Sequence, residues 1–442
     1  MSDKGHLLRV LGVVFGLAAV VGSVVGQGIL RAPGIAAQAS ESGTVLIGLW
    51  FLGGALSLLA ALPYAELGAA LPSAGGIVTF TERAFGKGAS VLASYSMLLM
   101  LISALANVAF VAGELLVRLG VGGGEIGPGA IATATLAVFF AINAMGTRIS
   151  GGAQIAFSAF KGAVLAIFVV ILFAQPGAPA VAGEASIAPQ GLLGYATAML
   201  VIIGAYNGWG DVVFYGEEIE DPARALPRAL FGGIIAITVL YTAVNMAILH
   251  VLTPQQMAAS DFAAGDAAAG IFGQAGDTVF TIFGVVSIAA ICSLMTMTVS
   301  RIAYASARVG LLPPALERVA ANGTPINAMV LVVLGAAAFL WSGSYLTLAS
   351  TSTALSQVMI LLFALCSWQL YRREPDLPRP FRVPFFKSVM ALVILFDAAL
   401  LVVFVWQDPA NSLLGFALVA ALAAGYWLVR RMAGSKPIQE QQ

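Results

Sequence analysis

The sequence predicts an all-α, polytopic membrane protein of twelve transmembrane helices, and three observations lead there. Sixty per cent of the 442 residues are hydrophobic and only 10% are charged, whereas a soluble domain carries roughly 25% charged residues. Charge-free runs such as Val10 to Leu30 match the roughly 20 apolar residues with which a helix crosses a hydrocarbon core about 30 Å thick. Lysine and arginine, finally, are distributed asymmetrically about those runs. A porin-like barrel would alternate over strands of about ten residues, and no such pattern is present.

Polar, glycine and proline punctuation divides the chain into spans at 10–38, 44–70, 88–117, 128–147, 150–174, 192–216, 227–252, 276–306, 326–342, 346–370, 386–406 and 412–430. The first is too long for a signal-peptide core and lacks a small-residue cleavage site, so it is expected to stay. The segment "LPSAGGIVTFTERAFGKG" at 71–88 is too polar to span, yet has Ile77, Val78, Phe80 and Phe85 to bury. It is expected to lie along the cytoplasmic surface. The 53 residues from Val319 to Tyr371 carry no charge, too many for one helix, and "SGS" at 342–344 is the natural turn between two. The tail "GSKPIQEQQ" has nothing to bury and is expected to be disordered.

An even number of spans puts both termini on one side. Lysine and arginine accumulate on the cytoplasmic side of membrane proteins. With the N-terminus inside, Lys4, Arg9, Arg83, Lys87, Arg148, Arg224, Arg228, Arg301, Arg308, Arg318, Arg372, Arg373, Arg379, Arg382, Lys387, Arg430, Arg431 and Lys436 are all cytoplasmic, 18 of the 21. Arg31 and Arg118 fall outside and Lys161 within a span. Losing one span would scramble this asymmetry. The net charge is zero, so no nucleic-acid partner is implied. Cys292 and Cys366 sit in apolar segments and imply no disulfide framework. His6 and His250 lie near span ends and suggest no metal site, and no cofactor motif is recognisable.

Two spans are interrupted where a helix should be continuous. "AAVVGSVVGQGILRAPG" at 18–34 carries Gly22, Gly26 and Gly28 with Gln27 between the last two, and "IIGAYNGWGDVVFYGEE" at 202–218 carries Gly204, Gly208 and Gly210 with Asn207. Each glycine disfavours a helix by roughly 1 kcal/mol relative to alanine. A single glycine among 49 is explained by close helix packing; a matched pair of clusters is not. If the chain is two five-helix halves plus two helices, these are corresponding spans, the pattern that marks the midplane site of a secondary transporter. Unwound backbone at that depth is tolerated only where it lines a cavity. Amides at Gly26 to Ile29 would face the positive end of a half-helix and suit a carboxylate. Carbonyls at Gly204 to Asn207 would suit an ammonium, and an α-amino acid carries both groups on one carbon.

At these residues the sequence resembles the amino acid, polyamine and organocation transporter superfamily, within it the L-type amino acid transporters and their bacterial relatives. "GSVVGQGILRAPG" resembles that family's first-helix motif, and "AYNGWGDVVFYGEEIEDPARALPRAL" its sixth-helix and following-loop motif. "YAELGAALPSAGG", "ERAFG" and "SRIAYASARVGLLP" are similar to its second-helix end, first inner loop and eighth-helix end. The resemblance covers roughly residues 10–385. It implies a LeuT-like fold: residues 1–9 as a cytoplasmic N-terminus, 10–174 and 192–370 as inverted five-helix repeats, 386–430 as two additional helices and 431–442 as a cytoplasmic tail. It implies substrate-carboxylate contacts at Val24, Gly26, Gln27 and Gly28, and amine contacts at the carbonyls of Gly204, Ala205 and Asn207. Two departures stand out. Gln27 replaces a small residue between the glycines, and Gly204 takes the position of an aromatic gate, so Tyr206 or Trp209 would have to cover the substrate.

Lys161 lies about a dozen residues into the fifth span, where an ammonium needs partners. The resemblance implies that it occupies the room of a sodium ion; a proton carrier and a fixed cation are both open. Asp211 is expected to line the cavity or pair with a cation, Glu217 and Glu218 to form a cytoplasmic gate or solvated end, and Glu66 and Arg301 to fix loops. The hydroxyls of Ser350, Thr351, Ser352, Thr353 and Ser356 either line a path or bond between helices. The expected function is a secondary active amino acid transporter of the bacterial inner membrane, a sodium-independent exchanger (antiporter) or proton-coupled permease moving neutral L-amino acids by alternating access. Its partners are the substrate, the lipid bilayer and, for the permease, protons; no partner subunit is inferred. The alternatives are a cationic amino acid or polyamine permease using Asp211 or Glu217, and a non-transporting amino acid sensor. No cluster of catalytic groups points to an enzyme.

Overall fold

Nearly every described residue is helical, because the apolar runs leave the backbone no partner but itself once lipid replaces water. The computed structural model describes residues 11–40, 42–73, 76–144, 151–177, 191–216, 219–320, 324–341 and 345–432. The expected turn at 342–344, the polar tail, Glu217, Glu218, His6, Lys4, Arg9, Arg148 and Lys436 lie outside the described residues.

The first expected span is two helices, α1 (Val13–Val24) and α2 (Gln27–Gln38), bent by 49° at the break. The sixth is α8 (Gly191–Tyr206), followed by a 3-10 helix at Trp209–Tyr215. Six more helices are long and apolar enough to cross a bilayer: α3 (Gly43–Ala70), α5 (Lys87–Arg118), α9 (Pro222–Val251), α12 (Gln274–Arg308), α15 (Phe386–Gln407) and α16 (Pro409–Met432). So is α14 (Tyr345–Arg373). With the bent pair taken as one, nine spans are recognisable among the described residues. The apolar helices α6 (Pro128–Ala144), α7 (Gly151–Phe173) and α13 (Ile326–Leu340) stand where the fourth, fifth and ninth spans were expected.

The expected surface segment contains α4 (Ile77–Phe85). Ile77 and Phe80 are buried against α5 and α14, whereas Phe85 is exposed, so one face of this short helix is used and the other is not. Two further helices, α10 (Pro254–Ala258) and α11 (Ala263–Phe272), occupy a connection in which the sequence reading placed no element. Their local signal is present: Thr253 and Gln256 form a reciprocal capping box before Pro254.

α5 is the central post. Its small residues, including Ser94, Ser103, Ala106 and Ala109, are buried and admit α4, α6, α12, α13, α14 and α16 around it. α3 packs along α9, α1 packs on α9 and α7, and α2 packs on α8. α15 and α16 lie at the periphery, with Leu392, Leu395, Val402, Leu413, Leu414 and Leu428 exposed on the outside of the bundle.

One end of the bundle is tied by a buried ion pair. Glu66, near the end of α3, is 1% exposed and lies 3.3 Å from Nε of Arg379, itself 8% exposed. Ser367 Oγ and the Val383 amide also donate to the Glu66 carboxylate. Glu66 thus fixes the segment between α14 and α15; Arg301 is exposed. Removing one partner of such a pair leaves a buried charge uncompensated. Arg379→Ala is therefore expected to destabilise the fold by about 3–5 kcal/mol, seen as a lower melting temperature in detergent, with exposed Arg382→Ala unchanged.

Candidate functional site

The two helix breaks meet at the centre of the bundle. α1 closes its last bond from Val25 N to Val21 O, and the chain is extended through Val25 and Gly26 before α2 begins. No side chain caps the first turn of α2, which leaves its amides available as donors at the positive end of the helix. In the other half, Asn207 N turns back onto Gly204 O at 3.2 Å, and Gly208 adopts φ +112°, a conformation that residues with a side chain rarely take. The Asn207 side chain holds this turn from both ends. Its Oδ1 accepts from Gly208 N at 2.9 Å and its Nδ2 donates to Ser356 Oγ on α14 at 2.8 Å.

Contact between the breaks is close enough to require glycine. A Cβ on Gly28 would lie 2.4 Å from Ala205 Cα, and one on Gly208 would lie 3.0 Å from Ser23 O. A buried tyrosine on α9 joins them from behind. The Tyr241 hydroxyl donates to Val24 O at 2.8 Å and lies 3.5 Å from Ala205 O. The chain just before α1 is bridged to the stretch after the 3-10 helix, with Glu220 N donating to Leu11 O at 2.8 Å.

Lys161 enters from α7 and is 4% exposed. Its Nζ donates to Gly22 O at 3.4 Å and Val25 O at 3.3 Å, two carbonyls that the end of α1 leaves without helical partners. The ammonium thus takes the place at a helix C-terminus where the dipole favours a cation.

In front of the breaks is a cavity of about 140 Å³ whose walls include Val24, Gly26, Gly28, Gly204, Ala205, Asn207 and Asp211. Seven sequence-selected residues therefore share one chamber. α5, α12 and α14 complete it with Asn107, Ile291, Thr298, Ser352 and Thr353. Of the hydroxyl run on α14, Ser352 and Thr353 face the cavity, whereas Ser356 serves Asn207. The placement of Gln27 gives its backbone at the start of α2; its side chain lies outside the described residues.

Tyr206 and Trp209 are not in the cavity wall. Tyr206 is 1% exposed and turns outward to α3, its hydroxyl donating to Trp50 O at 2.9 Å. Trp209 packs edge-on against Tyr64, with ring centroids 4.8 Å apart, and lines a small side pocket instead. The aromatic rings that do border the cavity are Phe214 and Tyr215 of the 3-10 helix, which the sequence reading passed over. Asn107 was also passed over. It is a lone amide in an apolar helix, 4% exposed, and its Oδ1 has no hydrogen-bond partner among the described residues.

The cavity runs from the breaks toward one end of the bundle, along α5 from Val108 to Met100 and along α12 from Ile291 to Ile302. Toward the other end, charged side chains bind the helices together. Arg31 of α2 lies 3.4 Å from Glu114 of α5 and 2.7 Å from Asp261, and Arg118 of α5 pairs with Asp266 of α11 and Asp277 of α12. Arg31 and Arg118 are the two arginines that the charge rule left outside.

Fold and site together define a multi-pass membrane protein with a central cavity built on paired discontinuous helices. Residues 11–429 match the amino acid permease family, and the chain belongs to that family. It is 27% identical over 317 residues to the serine/threonine exchanger SteT of Bacillus subtilis, covering 71% of each chain. It is 28% identical to the large neutral amino acids transporter small subunit 2 of Homo sapiens, over 96% of this chain and 80% of that one. The Asc-type amino acid transporter 1 of Mus musculus is 27% identical over 92% of this chain and 78% of its own. The resemblance drawn from the helix-break motifs is thus to the family that the whole chain matches.

Gly28→Ala is expected to force the breaks apart, lowering the melting temperature and abolishing substrate-induced stabilisation in a thermal-shift assay. Gly48→Ala, where a Cβ meets open space, serves as the unchanged control. Tyr241→Phe removes one hydrogen bond worth about 1 kcal/mol and is expected to slow amino acid transport by about fivefold in liposomes without loss of folded protein.

Proposed function

We propose that this protein is a secondary active transporter that binds a neutral L-amino acid between the two helix breaks and moves it across the membrane by alternating access. The observation that carries the reading is the meeting of both breaks, Gly28 against Ala205, in the wall of one cavity. The substrate carboxylate is received by Val24, Gly26, Gln27 and Gly28 at the start of α2, where uncapped amides and the helix dipole favour an anion. Its ammonium is received by the carbonyls of Gly204, Ala205 and Asn207. Seven neutral polar side chains, Tyr215 included, and one carboxylate in an otherwise apolar wall suit a substrate without net charge. The names of the relatives, a serine/threonine exchanger and a large neutral amino acid transporter among them, support amino acids as substrates.

Lys161 supports sodium independence. Its ammonium sits on two α1 carbonyls, a position in which a metal cation would meet the same oxygens. The lysine and arginine distribution favours an inner-membrane protein with both termini in the cytoplasm and twelve spans, with residues 10–174 and 192–370 as inverted repeats. In that orientation the Arg31 and Arg118 ion pairs close the outer side, and the cavity extends toward the cytoplasm. A cationic amino acid or polyamine permease is the second reading, favoured by the carboxylate of Asp211 in the cavity wall.

The test is counterflow in liposomes containing the purified protein. Uptake of labelled L-serine, L-alanine or L-leucine against the same internal amino acid is expected at full rate in sodium-free buffer. Lys161→Ala is expected to lower it at least tenfold, since the carbonyls of Gly22 and Val25 then lose their shared donor. A requirement for sodium, or uptake confined to L-lysine and polyamines, overturns the neutral, sodium-independent reading.

A further inference from the structure

Among the described residues Asp211 is the one with a formally charged side chain in the cavity wall, and the neutral-substrate reading leaves it without a role. It lies on the 3-10 helix directly after the second break, three residues beyond Gly208. Among the described residues its carboxylate has no hydrogen bond and no ion pair. It borders both the main cavity and the side pocket of about 40 Å³, whose other walls include Tyr64, Met97, Trp209, Phe214 and Phe363. That volume holds a few water molecules at most.

Among the described residues the surroundings contain no fixed cation for this carboxylate. From α3, Tyr64 faces it, its ring stacked on Phe363 and set against Gly210. α1 has no titratable residue. On α9, Tyr241 faces the breaks, and its hydroxyl is engaged by Val24 O. The residues that α5, α12 and α14 contribute to the cavity are all uncharged. Lys161, the buried cation of α7, is held on the carbonyls of Gly22 and Val25 and is absent from the cavity wall. A carboxylate so placed is neutralised by what the cavity brings to it.

We infer that Asp211 is a proton-binding site of the cavity, loaded from the side that the cavity faces and unloaded on the other. A hydronium ion in the cavity gives its proton to one carboxylate oxygen, forming an O–H bond and leaving water; the reverse step releases the proton after the cavity has switched sides. The position supports this coupling, because a residue on a 3-10 helix hinged at Gly208 moves with the break that holds the substrate. A neutral amino acid would then travel with one proton. This inference rests on the transporter reading.

The experiment uses the full-length protein in liposomes with trapped pyranine, and labelled L-serine, L-leucine and L-lysine as probes. With pH 6 outside and pH 8 inside, the wild type is expected to concentrate L-serine or L-leucine at least fivefold and to acidify the lumen. In Asp211→Asn, whatever its absolute rate, the pH dependence of uptake between pH 5.5 and 8.5 is expected to become flat. Asp211→Glu is expected to keep a pH response with a displaced midpoint. Should Asp211→Asn not fold, labelling of the wild type by dicyclohexylcarbodiimide, which attacks protonated carboxyls in apolar sites, decides the matter. Mass spectrometry is expected to find adduct on Asp211 that declines as pH rises and as L-serine or L-leucine is added.

An unchanged pH response in Asp211→Asn overturns the inference, as does a response abolished by Lys161→Met alone. Loss of L-lysine uptake alone in Asp211→Asn also overturns it, making Asp211 a receptor for a cationic side chain. Pyranine-silent exchange of neutral amino acids by the wild type overturns it while leaving the transporter reading intact, whereas absence of any amino acid uptake overturns both.

Discussion

A peptide group in hydrocarbon must find a partner inside the protein, and two interrupted helices make that requirement acute at the middle of the bundle. Most of the site's architecture answers it. Lys161 takes Gly22 O and Val25 O, Tyr241 takes Val24 O, and Ser158 of α7 takes Ala18 O. In the second half the Asn207 amide caps Gly208 N while Ser356 anchors Asn207. The residues at the start of α2 and at the end of α8 line the cavity.

The same economy governs charge. Arg31 and Arg118 are matched by Glu114, Asp261, Asp266 and Asp277, each drawn from a different stretch of the chain, so the ion pairs hold α2, α5, α11 and α12 together. At the opposite end Glu66 holds the loop after α14, and Glu374 of that loop makes a bidentate contact with Arg83 of α4. The hydrogen bonds from Arg83 hold the Glu374 carboxyl below the usual carboxylate range. Ion pairs thus collect at the two ends, with Lys161 and Asp397 buried in the spans between them and Asp211 in the cavity wall.

What the sequence made legible was whatever depends on local composition. Glycine clusters at 22–28 and 204–210 announced the breaks, because nothing else in a span has reason to weaken a helix there. The apolar runs announced the spans, and Lys161 announced itself by being a charge among them. What depended on side-chain direction was hidden. Tyr206 and Trp209 were expected over the substrate, yet the turn of the chain at Gly208 points them at Trp50 and Tyr64 and brings Phe214 and Tyr215 to the cavity. Tyr241 and Asn107 act through positions on α9 and α5 that no spacing distinguishes from ordinary core. α10 and α11 were missed although the Thr253 capping box was readable, since they lie in a connection between spans.

The seam between Gly28 and Ala205 has a genetic corollary. Two positions 177 residues apart in the chain share one van der Waals gap, and the nearest atom to a side chain at 28 is the backbone Cα of 205, which every amino acid carries. No replacement at 205 makes room for a bulkier residue at 28, so the restriction falls on the codon for Gly28 and cannot be relieved from its counterpart.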